Sequence, residues 1–160
     1  MDIPIFILLG SNLGDRQENL ERARQEISRL IGEIITTSSI YKTAAWGNTN
    51  QPDFYNQVIE IRSPHNPNKL IIDTQLIEQK MGRTRKEKWG PRIIDIDILF
   101  YGDSVVSEEN LTIPHPEISN RRFTLLPLAE VAPDFIHPLL KKSVLQLLEA
   151  CQDDLPVEKL

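Results

Sequence analysis

The order in which the apolar residues change period constrains this chain more than any other feature. Residues 3 to 9, Ile-Pro-Ile-Phe-Ile-Leu-Leu, form a short continuous apolar run ending at Gly10, which suits a buried central strand. Asp15 and Glu18 have capping-box spacing, and Leu20, Ala23, Ile27, Leu30 and Ile31 then recur at helical spacing until Gly32. Ile34 to Tyr41 and Phe54 to Arg62 have strand composition. Asn66-Pro67 places a cap before a first-turn proline, with Leu70, Ile71, Ile77 and Met81 on one stripe and Gly82 after it. Arg92 to Tyr101 returns to strand composition. The order β-α-β-β-α-β predicts an α+β fold of the split βαβ, ferredoxin-like type: an antiparallel sheet with two helices on one face. Beyond it, prolines at 114, 116, 127, 133 and 138 predict short pieces, then a helix over 143–151 as a C-terminal extension.

At 160 residues the chain suffices for one core, so a single domain over 1–160 is expected. Its one cysteine, Cys151, precludes an internal disulfide, and no run nears about 18 apolar residues. Those features, with no secretory leader at 1–9, predict a cytoplasmic, membrane-free monomer. The net charge of −5 argues against a nucleic-acid partner and requires any anion site to be a local cationic cluster.

Such a cluster exists. Residues 83–92 carry Arg83, Arg85, Lys86, Lys88 and Arg92 against one acid, Glu87. Immediately after it, Ile94, Ile96, Ile98 and Phe100 alternate on one face of the expected strand, with Asp95 and Asp97 on the other. Side chains two apart on a strand lie roughly 6 to 7 Å apart, near enough to bracket a hard cation such as Mg²⁺. Alone, the pair reads more readily as a strand's acidic outer face, and the basic run as a solvated loop. Together they supply parts for phosphoryl or pyrophosphoryl transfer from a nucleoside triphosphate: metal ligands, guanidinium forks and a loop able to exclude water. No P-loop or protein-kinase glycine pattern is present.

Gly10-Ser11-Asn12-Leu13-Gly14 fits a tight strand-to-helix turn better than an anion nest. His115 lies between prolines, without a second histidine to share a metal. Trp46 and Trp89 fall in glycine-flanked loops, where tryptophans more often face a ligand than they do in a core. For Arg121, Arg122 and Phe123, spacing does not choose between an exposed loop and a phosphate-and-ring contact.

Several blocks together resemble the 6-hydroxymethyl-7,8-dihydropterin pyrophosphokinases of folate biosynthesis. They are Leu9 to Leu13, Tyr41-Lys42-Thr43, Gln51 to Asn56, Gly82 to Arg85, Trp89 to Asp97 and Leu111 to Pro116. The resemblance implies a ferredoxin-like core, two Mg²⁺ ions, ATP as co-substrate, and transfer of its β,γ-pyrophosphoryl group to the pterin hydroxymethyl oxygen with release of AMP. By motif position it implies Asp95 and Asp97 as metal ligands and Arg83 and Arg92 as arginines meeting the transferring phosphates. Gln75, Glu78, Arg85, Trp89, Ile98, Thr112, His115 and Arg121 match the ATP site. Thr43, Ala44, Trp46, Phe54, Asn56 and Phe123 match the pterin pocket, with Phe54 and Phe123 as its aromatic walls. The chain departs from the family at Ala44-Ala45, where many members have prolines, at Trp46, where they carry a smaller aliphatic residue, and at Asn110, where some carry arginine. Two other classes stay open at this point. A palm-type nucleotidyltransferase would release inorganic pyrophosphate rather than AMP, and a non-catalytic ligand-binding module could use the same fold.

Overall fold

The computed structural model describes residues 3–44, 52–82 and 93–160. The first apolar run forms β1 (Ile5–Ser11), buried at all seven positions because strands flank both its edges and a hydrophobic core packs on each of its faces. One neighbour is β4 (Phe54–Arg62) and the other β5 (Asp95–Tyr101), both antiparallel to it. On the far side of β4 lie β2 (Glu33–Thr37) and β3 (Tyr41–Thr43), giving the expected split βαβ order.

The two expected helices are α1 (Arg16–Leu30) and α2 (Pro67–Lys80). Asp15 Oδ1 accepts the Glu18 N–H at 3.1 Å, and Asn66 Oδ1 accepts the Lys69 N–H at 2.9 Å, so each helix starts at its predicted cap. Leu20, Ala23 and Ile27 of α1 and Leu70 and Ile77 of α2 pack with Ile5, Ile7 and Leu9 on one sheet face. Leu30 faces solvent instead, and in α2 Thr74 takes a fully buried place where Ile71 is only half-buried.

Three expectations are corrected. The single strand over 34–41 is two, because at the break Ser38 bonds Val58 in both directions: Ser38 N–H to Val58 O, 2.9 Å, and Val58 N–H to Ser38 Oγ, 3.0 Å. The alternation along β5 breaks before Phe100. Phe6 pairs with Phe100 but Ile7 with Ile98, so Leu99 is an extra residue in a β-bulge. Ile94, Ile96 and Ile98 therefore stay on the α1/α2 face while Leu99 and Phe100 join the opposite core.

The third correction concerns the C-terminal part. After a hairpin of β6 (Val106–Glu108) and β7 (Leu111–Ile113), Pro127 lies inside an unbroken helix, α3 (Arg122–Val131). An interior proline costs about 3 kcal/mol. Burying Phe123, Leu125 and Leu128 contributes about 1.5 to 3 kcal/mol each, which outweighs it. Next come α4 (Val144–Ala150), with Ser143 and Gln146 in a full capping box, and β8 (Val157–Lys159), which pairs with β3. α3 and α4 cover the face opposite α1 and α2, packing on Phe6, Leu8, Val58 and Phe100. The two core helices thus share one face as expected, and the C-terminal extension covers the other. No helix among the described residues is long and apolar enough to cross a membrane.

Candidate active site

Strand register decides which predicted residues meet. Cross-strand partners share a face. Asp95 pairs with Gly10, Gly10 with Asn56, and Asn56 with Tyr41, which makes one row across four strands on the α3 face. The adjacent row carries Asp97, Leu8 and Val58, and on the other side Phe54 stands opposite Thr43. Asp95 and Asp97, both half-buried, thus lie on the same sheet face as Thr43, Phe54 and Asn56. Phe123, near the start of α3, packs onto this face beside Leu8 and Val58.

Gly10 was expected as a turn residue, but it lies within β1, and Gly14 makes the turn with φ +74°. A Cβ on Gly10 would lie 3.1 Å from Asn56 Oδ1 and 3.6 Å from Phe54 Cδ1. The missing side chain leaves the floor between Asp95 and Asn56 open. Asn56 is 3% exposed, and its Nδ2 has no hydrogen-bond partner among the described residues. A buried amide donor left this way costs about 1 to 3 kcal/mol, and Nδ2 is therefore available to an acceptor brought to this face.

A second zone follows the outer edge of β5, which no strand covers among the described residues. Glu78, buried at 4% exposure, accepts the Ile96 N–H on Oε2 at 2.8 Å and so fixes the backbone between the two aspartates. Gln75 lies half-exposed one turn earlier on α2. The Ile98 side chain is in the α1/α2 core, and its backbone, by the strand's two-residue repeat, falls on the same edge as Ile96. Thr112 is exposed on β7, and the His115 N–H donates to Leu99 O at 3.0 Å, which lays the segment after β7 along this edge. His115 Nδ1 accepts the Glu117 N–H at 3.1 Å, leaving the ring proton on Nε2. Burial, reinforced by the Arg121 cation and opposed by Glu117, pushes the His115 pKa down to about 4, so the ring is a neutral donor. The Arg121 guanidinium stands 5.7 Å from the centre of the Phe123 ring.

Asp95 and Asp97 form the junction between the open face and the β5 edge. Two half-buried carboxylates on one strand face offer only oxygen, the donor type that suits Mg²⁺. The predicted residues Trp46, Arg83, Arg85, Trp89 and Arg92 lie outside the described residues.

Sequence reasoning missed Gly10 as a clearance residue; its place opposite both Asp95 and Asn56 would have required the strand register. It also missed Glu130, whose carboxylate accepts from Tyr41 Oη at 2.7 Å and from Ser39 N and Oγ at 3.0 Å each. Those partners are 89 and 91 residues away, and no local signal marks them.

An antiparallel α+β domain that gathers two strand carboxylates and a buried amide with an unbonded donor on one sheet face has the parts of a small-molecule transferase. The family model described as 7,8-dihydro-6-hydroxymethylpterin-pyrophosphokinase (HPPK) matches residues 6–133, and the chain belongs to that family. A Synechocystis protein named 2-amino-4-hydroxy-6-hydroxymethyldihydropteridine pyrophosphokinase is 44% identical over 142 residues, covering 88% of this chain and 72% of that protein. An Aquifex aeolicus protein of the same name is 38% identical over 138 residues, 86% of each chain. In fold, a crystal structure of Plasmodium falciparum HPPK-DHPS superposes with a TM-score of 0.77 at 18% identity. That match spans 92% of this chain and 45% of the longer one.

Proposed function

We propose that this chain, as an ATP-dependent pyrophosphokinase, moves the β,γ-pyrophosphoryl group of ATP onto the hydroxymethyl oxygen of 6-hydroxymethyl-7,8-dihydropterin and releases AMP. The observation that carries this reading is the row Asp95, Gly10, Asn56. Two inter-strand spacings put Asp95 and Asn56 roughly 10 Å apart, a span that a bicyclic ring and its hydroxymethyl arm bridge. The buried Asn56 amide presents Nδ2 to a ring acceptor, while Phe54 and Phe123 supply stacking surfaces and Thr43, Ala44 and Trp46 complete the pocket. The same geometry leaves a palm-type nucleotidyltransferase or a purely ligand-binding module without an observation in its favour.

ATP lies along the β5 edge, received by Gln75, Ile98, Thr112, the neutral Nε2–H of His115, and Arg121. Glu78 serves this site by holding the Ile96 amide. Arg83, Arg85, Trp89 and Arg92, close in sequence to Asp95, complete the phosphate and flap contacts. Asp95 and Asp97 would hold the two Mg²⁺ ions, which when bound would supply charge neutralisation on the phosphate oxygens. The protein's own contribution is orientation: the open floor at Gly10 lets the pterin alcohol approach the carboxylate pair, and the basic segment 83–92 accompanies the phosphates. The working unit in this reading is a single-domain monomer, placed in the cytoplasm.

Incubation with ATP, Mg²⁺ and the pterin alcohol tests the reading. AMP and pyrophosphorylated pterin should appear in equal amounts. Release of inorganic pyrophosphate with a nucleotidylated product would replace it.

A further inference from the structure

α3 enters the proposed pterin pocket without a cap of its own. Arg121 precedes it with no side-chain cap bond, and a guanidinium has no acceptor to offer. The acceptor comes from the far end of the chain. Asp153 Oδ2 takes the Arg122 N–H at 3.0 Å, and the carbonyls of Asp153 and Cys151 take Arg122 Nε and Nη2 at 2.9 and 3.1 Å. The second Asp153 oxygen accepts the Leu155 N–H at 3.0 Å and turns the chain toward the sheet. There the Pro156 carbonyl accepts Thr43 Oγ1 at 3.1 Å, Val157 pairs with Thr43, and the Leu160 N–H reaches Ile40 O at 2.9 Å.

Residues 151–160 therefore strap two elements together: the start of α3, which carries Phe123, and β3, which carries Thr43. Glu130 ties the other end of α3 to Tyr41 and Ser39, so the helix is held at both ends. The strap also lies beyond residues 6–133, the part that the family model matches.

We propose that Asp153 is a positioning residue for pterin binding. By capping the first turn of α3 through Arg122, it fixes the placement of Phe123 over the open floor between Asp95 and Asn56. An uncapped first turn frays, and Phe123 is its second residue. This role rests on the pterin reading of Phe54, Asn56 and Phe123, so the test contains a separate control for that reading.

Steady-state kinetics on the full chain should compare Asp153→Ala, Asp153→Asn, Phe123→Ala and the Asp153→Ala/Phe123→Ala double variant. Loss of the cap should raise the pterin KM about three- to tenfold, with kcat within about twofold of wild type. Asp153→Asn keeps an oxygen acceptor for the Arg122 N–H and should restore a near-wild-type KM. In the Phe123→Ala background, adding Asp153→Ala should raise KM little further, because both changes act on the same ring. If the alanine variant does not accumulate, Asp153→Glu, which moves the acceptor by one methylene, should show a smaller rise in KM. An unchanged pterin KM in Asp153→Ala and Asp153→Glu, or effects of Asp153 and Phe123 that multiply independently, would overturn the positioning role. A wild-type pterin KM in Phe123→Ala alone would overturn the pocket assignment, and the strap's role with it.

Discussion

His115 and His137 stay neutral by one device. Each ring turns Nδ1 toward backbone N–H groups, that of Glu117 for His115 and those of Leu139 and Leu140 for His137, all at 3.1 Å. Burial lowers both pKa values, His115 to about 4. In the unfolded chain a histidine titrates near 6.5. Between about pH 4 and 6.5 the unfolded chain therefore binds protons that the native chain refuses, and stability rises with pH across that window. The stabilising contribution is complete above pH 6.5 and is lost progressively as the pH falls toward 4. Urea unfolding of wild type and His115→Gln at pH 7 and pH 5 isolates this effect. The variant should lose less stability than wild type on acidification, and equal losses would contradict the neutral, buried state. In the proposed ATP site, neutrality would make His115 a hydrogen-bond donor rather than a cation.

Gly32 shows how an element ends where another backbone passes. A Cβ there would lie 2.0 Å from the Arg62 carbonyl oxygen and 2.9 Å from its carbon, and a backbone cannot swing aside as a flexible side chain can. Ser63 Oγ, just beyond β4, donates to the Ile31 carbonyl at 2.7 Å and closes the helix end on the strand end. Gly32→Ala should cost about 3 kcal/mol, because the helix end and β4 must separate. Gly14→Ala, with φ +74° but open space around it, should cost only about 1 to 2 kcal/mol. Thermal and urea melts of the two variants read the difference, and equal losses would refute the clash. The sequence revealed Gly32 as a helix stop but not the carbonyl that makes glycine necessary. The same limit runs through the other elements. α1, β4 and α2 were legible because cap, period and burial agree locally. The β2–β3 break depends on Val58, the bulge at Leu99 on β1 register, and α3 on the core that offsets Pro127. The side on which Asp95 and Asp97 stand was legible because their alternation precedes the bulge; that Glu78 braces the amide between them was not.

At the scale of the whole molecule the two sheet faces divide the work. The α1/α2 face is filled by aliphatic side chains, whereas the opposite face keeps an open floor at one end, beside Gly10, Asn56 and the aspartates. The topology gathers this end from four distant stretches: the end of β1, the β3–β4 pair, the start of β5 and the segment from β7 to α3. Because Asp97 is half-buried on that face opposite Leu8, and outside the aliphatic core, its removal should leave packing intact while removing half of the carboxylate pair. Asp97→Ala should therefore melt within a few degrees of wild type. Its AMP formation should fall by at least about a thousandfold, or about 4 kcal/mol of transition-state stabilisation, and raising Mg²⁺ should not restore it. Asp97→Asn, which keeps the shape and loses the charge, should be nearly as inactive. That comparison separates the carboxylate's charge from its volume. An Asp97→Asn enzyme with wild-type turnover would mean that the pair does not hold the metal, and the junction between the proposed pterin floor and the proposed ATP edge would need another ligand.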